Sequence, residues 1–160
     1  MSDEMCMFKR TAEHDRLNYL VGEWKTRETH HPSPWLPNGG TGEGRCTTRW
    51  GVGNLCLLTD YRSKGPSGSA FEGHAVDTWD PVKKVYQSWW FDNMAPTGMR
   101  MAGRYEGDDL VSHAEIETPK GTMRMRMISH PISASSYVAK MDMEIEGKWV
   151  PTMEITYVRA

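Results

Sequence analysis

"GTMRMRMISH", Gly121 to His130, alternates methionine and arginine with a period of two. That is the period of a β-strand, whose successive side chains point to opposite faces. The fold turns on which set looks inward, and the neighbouring strands decide it, because directly opposed residues of an antiparallel pair share a face. A turn at Pro119-Lys120 pairs Thr118 with Gly121 and sets Ile116, Ala114 and Ser112 opposite Met123, Met125 and Met127. The "EGDD" turn pairs Tyr105 with Leu110, which brings Met101 opposite Ala114 and Met99 opposite Ile116. Across "SHPISASS", Met125 is expected against Met141 and Met123 against Met143; the "EGK" turn then sets Met141 opposite Met153 and Ala139 opposite Ile155. One apolar face runs across all five strands. The reverse face collects charge, with Arg124 between Glu115 and Asp142, Arg100 opposite Glu115 and Lys140 opposite Glu154. The methionines are therefore expected inside and the arginines in a solvated lattice outside.

Working outward, the breakers "PNGG", "GVGN", "GPSGS", "DPVKK", "EGDD", "TPKG", "SHPISASS" and "EGK" separate ten candidate strands: 23–30, 42–50, 55–62, 71–79, 85–92, 98–105, 110–117, 122–129, 137–145 and 149–159. The "GVGN" turn pairs Trp50 with Leu55 and Thr48 with Leu57 inside, leaving Arg45 opposite Asp60 outside. Cys46 and Cys56 then fall on opposite faces and should not be bridged. Only "TAEHDRLNYLVGEW" reads as helix, with Leu17, Leu20 and Val21 at helical spacing before the stop at Gly22. Ten consecutive antiparallel strands, each with one wet and one apolar face, point to an all-β fold. The expected form is a ten-stranded antiparallel up-and-down barrel, because closure removes exposed edges; a two-sheet sandwich is the competing arrangement. The expected division is one domain over 1–160, with 1–10 flexible, a short helix over 11–21 and the barrel over 22–159.

At 160 residues and 38% apolar composition the chain is the size of one domain with one core. A formal charge of -2 and a pI near 6.3, with the two signs interspersed, give no field for nucleic acid or an anionic membrane surface. Three cysteines without framework spacing, and no apolar signal segment in "MSDEMCMFKR", point to a reduced, cytoplasmic protein. No stretch approaches the roughly 20 apolar residues of a transmembrane helix. CxxC pairs, HExxH, P-loop and Rossmann glycine patterns are all missing, so metal and nucleotide chemistry have no sequence warrant.

The chemistry that remains lies on the inward face. A wall containing Met101, Met125, Met141 and Met153 is soft and can repack around an apolar or aromatic ligand. Trp50 and Trp90 are candidates to complete that wall. On the first strand Trp24, Thr26, Glu28 and His30 share parity, so Glu28 and His30 are expected near the barrel mouth, where they could orient a ligand or exchange a proton. The fourth and fifth strands admit two registers. A five-residue "PVKKV" loop pairs His74 with Asp92, a carboxylate-imidazole acid/base unit; a shorter turn pairs Ala75 with Trp90 and gathers Asp77, Ser88 and Asp92 instead. No cofactor is expected; haem would need an axial histidine reaching the cavity, and His74 is the candidate. Outward Trp89 and Phe91 could form an apolar patch for a homodimer.

"LVGEW", with Gly22-Glu23-Trp24 opening the first strand, resembles the Gly-x-Trp signature of the lipocalin-like, or calycin, barrels. The ordered set "RWGVGNL", "FEGHAVDTWDP", "VYQSWWFDNM" and "TMEITYVR" narrows the resemblance to domain-of-unknown-function family 1579, from Leu17 to Arg159. What it implies is the barrel, with Trp24 closing its lower end beneath Arg159. Calycin barrels mostly hold small apolar ligands, some hold haem, and a few are isomerases, cyclases or lyases. The two expected functions follow: binding of a small apolar or aromatic molecule, or cofactor-free proton-transfer chemistry on the same barrel by His74 and Asp92.

Overall fold

The computed structural model describes residues 8–95 and 97–160. A helical turn, α1 (Ala12–Asp15), and a 3-10 turn (Asn18–Leu20) precede ten strands: β1 (Gly22–His30), β2 (Gly40–Gly51), β3 (Cys56–Lys64), β4 (Ala70–Asp80), β5 (Val85–Asp92), β6 (Met99–Glu106), β7 (Asp109–Thr118), β8 (Gly121–Ser133), β9 (Ser136–Ile145) and β10 (Lys148–Arg159). Every strand pairs antiparallel with its sequence neighbour, and β1 pairs with β10 from Trp24↔Arg159 to His30↔Met153, so the sheet closes into a barrel. Among the described residues no strand edge is left to pair with another chain.

The expected helix over 11–21 is broken in two. The Thr11 N–H donates to His14 Nδ1 at 3.1 Å, capping a segment of one turn, and a helix that short is held by packing rather than by propensity. That packing is the plug of the barrel's lower end: Leu17 (1% exposed) meets Leu57 (0%) and Tyr86, with Tyr105 and Trp50 around them. The Tyr86 hydroxyl donates to the Glu13 carbonyl and the Tyr105 hydroxyl to that of Arg16. Of the lead-in expected to be flexible, residues 1–7 lie outside the described residues. Arg10 is held, with its Nε donating to Asp15 and its guanidinium 3.9 Å from the centre of the Trp50 ring.

The inward parity of the methionine strand is as expected, and β7 and β8 pair Ile116↔Met123, Ala114↔Met125 and Ser112↔Met127. Met101, Ala114, Met125 and Met143 form a buried cluster, flanked by Met99, Met123, Met127 and Met141. Two hairpins slide by two residues from the expected pairing. Met125 faces Met143 and Met127 faces Met141, because β8 continues through Pro131 to a tight Ala134-Ser135 turn, with a bulge between Pro131 and Ser133. A bulge is where a strand tolerates proline, which has no N–H for the ladder. Likewise Trp50 pairs with Leu57 and Thr48 with Thr59, the turn being centred one residue later, where Val52, Gly53 and Asn54 all take positive φ. A slip of two leaves every side chain on its face. Cys46 and Cys56 are unbridged.

The outer face carries the charge lattice with its partners redistributed by the same slip. Arg124, 58% exposed, reaches Glu115 at 3.4 Å and Glu144 at 3.7 Å, while Asp142 is taken by Arg126, over which Trp149 lies at 4.8 Å. Exposed pairs of this kind contribute little. Arg124→Ala is expected to lower the unfolding free energy by no more than about 0.5 kcal/mol in a urea titration; a loss above about 2 kcal/mol would mean that the side chain points inward. Among the described residues no helix is long and apolar enough to cross a membrane.

Candidate functional site

The β4–β5 hairpin adopts the shorter register. Asp80 Oδ1 accepts from the Val82 and Lys83 amides, both at 2.9 Å, and this cap fixes Asp80↔Val85 and hence Ala75↔Trp90, Asp77↔Ser88 and Gly73↔Asp92. The expected His74–Asp92 unit is thereby corrected. His74 faces outward, its Nδ1 paired with Asp60 at 2.9 Å, the imidazole half-buried and the carboxylate exposed. Asp92 belongs to the other face and is spent on structure: Oδ2 accepts from Trp90 Nε1 at 2.7 Å, and Oδ1 from the Met94 and Ala95 amides. The histidine considered for axial haem ligation does not reach the interior.

Trp50 is corrected as well. Its indole lies at the plugged end, Nε1 donating to Asn18 Oδ1 at 2.9 Å beneath Arg10, away from the methionine wall. Trp90 keeps to the interior. It stacks on Phe71 with ring centres 6.2 Å apart and 18° between planes, and a Cβ at Gly73 would lie 2.1 Å from its ring, so the strand carries no side chain there. Outside, Phe91 is 52% exposed, while Trp89 is partly covered by Arg100 at 5.7 Å.

The lower-middle interior is aromatic. Trp24 (1% exposed) donates from Nε1 to the Leu20 carbonyl, and the Arg159 guanidinium lies 4.5 Å from its ring centre, an interaction worth about 0.5–2 kcal/mol. Gly22 is needed there: φ is +145°, and a Cβ would approach Arg159 Nη1 to 2.3 Å. Tyr137 stacks on Tyr157 at 4.1 Å, with Tyr61 and Ile155 completing the cluster.

Glu28 and His30 do not form an exposed rim. Glu28 is 4% exposed; its Oε1 accepts from the Tyr61 hydroxyl at 2.5 Å, and its Oε2 pairs with His30 Nε2 at 2.8 Å. The Thr26 hydroxyl donates in turn to Tyr61 at 3.3 Å. This carboxylate is accommodated because β2 places glycine opposite the three inward β1 residues that follow Trp24: Gly44 by Thr26, Gly42 by Glu28 and Gly40 by His30. A Cβ on Gly42 would come within 2.6 Å of Glu28 Oε2. Burial raises the Tyr61 pKa, and the adjacent Glu28 carboxylate raises it further, so the phenol is a donor and not an anion. Ser63, also buried, lies beside this network without a hydrogen bond that meets normal geometry.

A second interior carboxylate is Asp77, between Leu57 and Ser88 in the lower half. Burial pushes its pKa up to about 6, partly offset by the Ser88 hydroxyl. Sequence patterning reached Asp77 only through the alternative register and missed Tyr61 altogether. The available signals were the asparate-capped turn at Asp80 for the first and the alternating glycines of "GTGEG", Gly40 to Gly44, for the second. Among the described residues, no group of three or more His, Cys, Asp or Glu side chains is arranged to hold a metal.

Comparison with known proteins agrees with the barrel. The structure of Rv2717c from M. tuberculosis superposes with a TM-score of 0.64 at 11% identity, covering 95% of this chain and 99% of that one. The S-type phycobiliprotein lyase CPES from Guillardia theta superposes with a TM-score of 0.56, also at 11% identity, covering 95% and 94%. Such distant likeness speaks for the fold alone. No curated protein matches by sequence. Residues 9–159 match the profile described as "Protein of unknown function (DUF1579)", and the chain belongs to that family.

Proposed function

We propose that this chain binds a small, largely apolar molecule, aromatic in part, inside the upper half of the barrel. One wall is the methionine set of β6, β8, β9 and β10; the facing wall is Trp90 with Phe71, and Glu28 and His30 supply the polar contact. The observation that carries this reading is the state of the methionines. Met101, Met125 and Met143 are buried, yet Met99, Met123, Met127, Met141 and Met153 face inward and keep partial exposure. Inward side chains that retain accessible surface are what a ligand-sized space leaves, and flexible thioethers are suited to closing around more than one shape. Turnover is the second reading, favoured by one feature: the buried Glu28 carboxylate holds the His30 imidazole, a pairing that fixes a tautomer for proton transfer.

Native mass spectrometry of the purified protein, followed by titration of its tryptophan fluorescence with the methyl ether of β-naphthol, tests the binding reading. A co-purified small mass, or saturable one-to-one binding of the ether, is expected. Empty protein that saturates with neither the ether nor β-naphthol itself would end the proposal.

A further inference from the structure

Glu28 is an interior carboxylate with both oxygens engaged, one by Tyr61 and one by His30. The Tyr61 hydroxyl donates to it, so Glu28 is an acceptor on that side, and the favourable partner for its other oxygen is an N–H from His30 Nε2. That leaves His30 Nδ1, which has no hydrogen-bond partner among the described residues. The His30 side chain is 22% exposed where Glu28 is 5%, so the imidazole is the one member of the trio that something else can reach. Its inward neighbours across the ladders are Met153 on β10 and Gly40 on β2, one apolar and one without a side chain. Neither satisfies Nδ1.

We propose that His30 Nδ1 is the polar contact of the bound molecule, and that this molecule carries a weakly acidic hydroxyl, as in a phenol or naphthol, on its apolar body. This rests on the binding reading above. The chemistry selects a hydroxyl over an ether or an alkyl group. A neutral imidazole tied through Nε2–H to Glu28 offers a lone pair at Nδ1, and an O–H can donate to it. If the proton crosses to Nδ1, the resulting imidazolium is held by the Glu28 carboxylate and the oxyanion by the new N–H, so one proton is shared in either form and nothing is left unpaired. A hydroxyl-free ligand has no proton to share and leaves Nδ1 desolvated without a donor, at a cost of about tenfold in affinity or more. Tyr61 acts through Glu28 as a positioning residue.

The test uses β-naphthol and its methyl ether, bound to the wild-type chain and to His30→Ala and Glu28→Gln. Glutamine at 28 keeps the shape and the acceptor for Tyr61 but offers an N–H to His30 Nε2, which moves the ring proton to Nδ1; it also guards against a loss of fold in the alanine variant. The ratio of naphthol to ether affinity is expected to fall about tenfold in both variants, because alanine removes the acceptor for the hydroxyl and glutamine turns Nδ1 into a donor that an ether oxygen satisfies equally well. Equal ratios in wild type and Glu28→Gln would overturn the role of His30 while leaving the binding reading in place. Failure of the wild type to bind either compound would instead remove the binding reading itself.

Discussion

Met125→Asp abolishes folding. Met125 is 3% exposed in the cluster with Met101, Ala114 and Met143, at the centre of the inward face of β8. Removing the thioether forfeits about 1.5–3 kcal/mol of burial, and the carboxylate that replaces it has no cation within the cluster, which adds several kcal/mol of desolvation. The sum, about 5 kcal/mol or more, reaches into the roughly 5–15 kcal/mol by which ordinary domains are stable. Circular dichroism and thermal melting should find no cooperative transition at 25 °C. Met125→Leu, which keeps the volume, should cost less than about 1.5 kcal/mol. A folded Met125→Asp variant melting within a few degrees of wild type would mean that β8 presents its other face to the core.

The contrast with Arg124, one residue away and 58% exposed, shows why the strand was legible in sequence. A period-two pattern states which side chains share a face, and five strands had to agree on one answer. It does not state how far one strand slides along the next. A slip of two residues preserves every face, and so the β2–β3 and β8–β9 hairpins could not be told from their shifted forms by alternation. For β4 even the face was ambiguous. His74, Val76 and Thr78 on one side and Ala75, Asp77 and Trp79 on the other are equally mixed in polarity, and the decision came from the Asp80 side chain capping the turn. The polar site was half legible. The parity of Glu28 and His30 followed from Trp24, but burial of a carboxylate depends on what the facing strand lacks, and only the ladder brings Gly40, Gly42 and Gly44 alongside.

Asp77→Asn raises stability at neutral pH. The carboxyl pKa of Asp77 in the folded chain is about 6 against 3.8 for the free side chain, because burial disfavours the charged form. Below pH 4 both folded and unfolded states hold the proton and Asp77 is neutral in each. Between about pH 4 and 6 the unfolded chain releases its proton first, so wild-type stability falls as pH rises through this window. Above pH 6 the folded chain carries an interior carboxylate at a standing cost of about 2–3 kcal/mol, the size of the shift at 1.36 kcal/mol per unit, reduced for partial solvent access. Asparagine has the shape of the protonated acid and can keep the Ser88 contact. The variant should therefore exceed wild type by about 2–3 kcal/mol in urea unfolding at pH 8 and match it below pH 4. His14 acts in the opposite sense. Burial and Arg10 lower its pKa, so its contribution is present above pH 6.5 and is lost as the pH falls. Taking the difference between wild type and variant cancels His14 and isolates Asp77. A difference independent of pH would show that the carboxylate is solvated in the folded chain. The predicted dependence would mean that the barrel carries an interior charge at a cost in stability, which is the pattern of a site kept for a purpose other than folding.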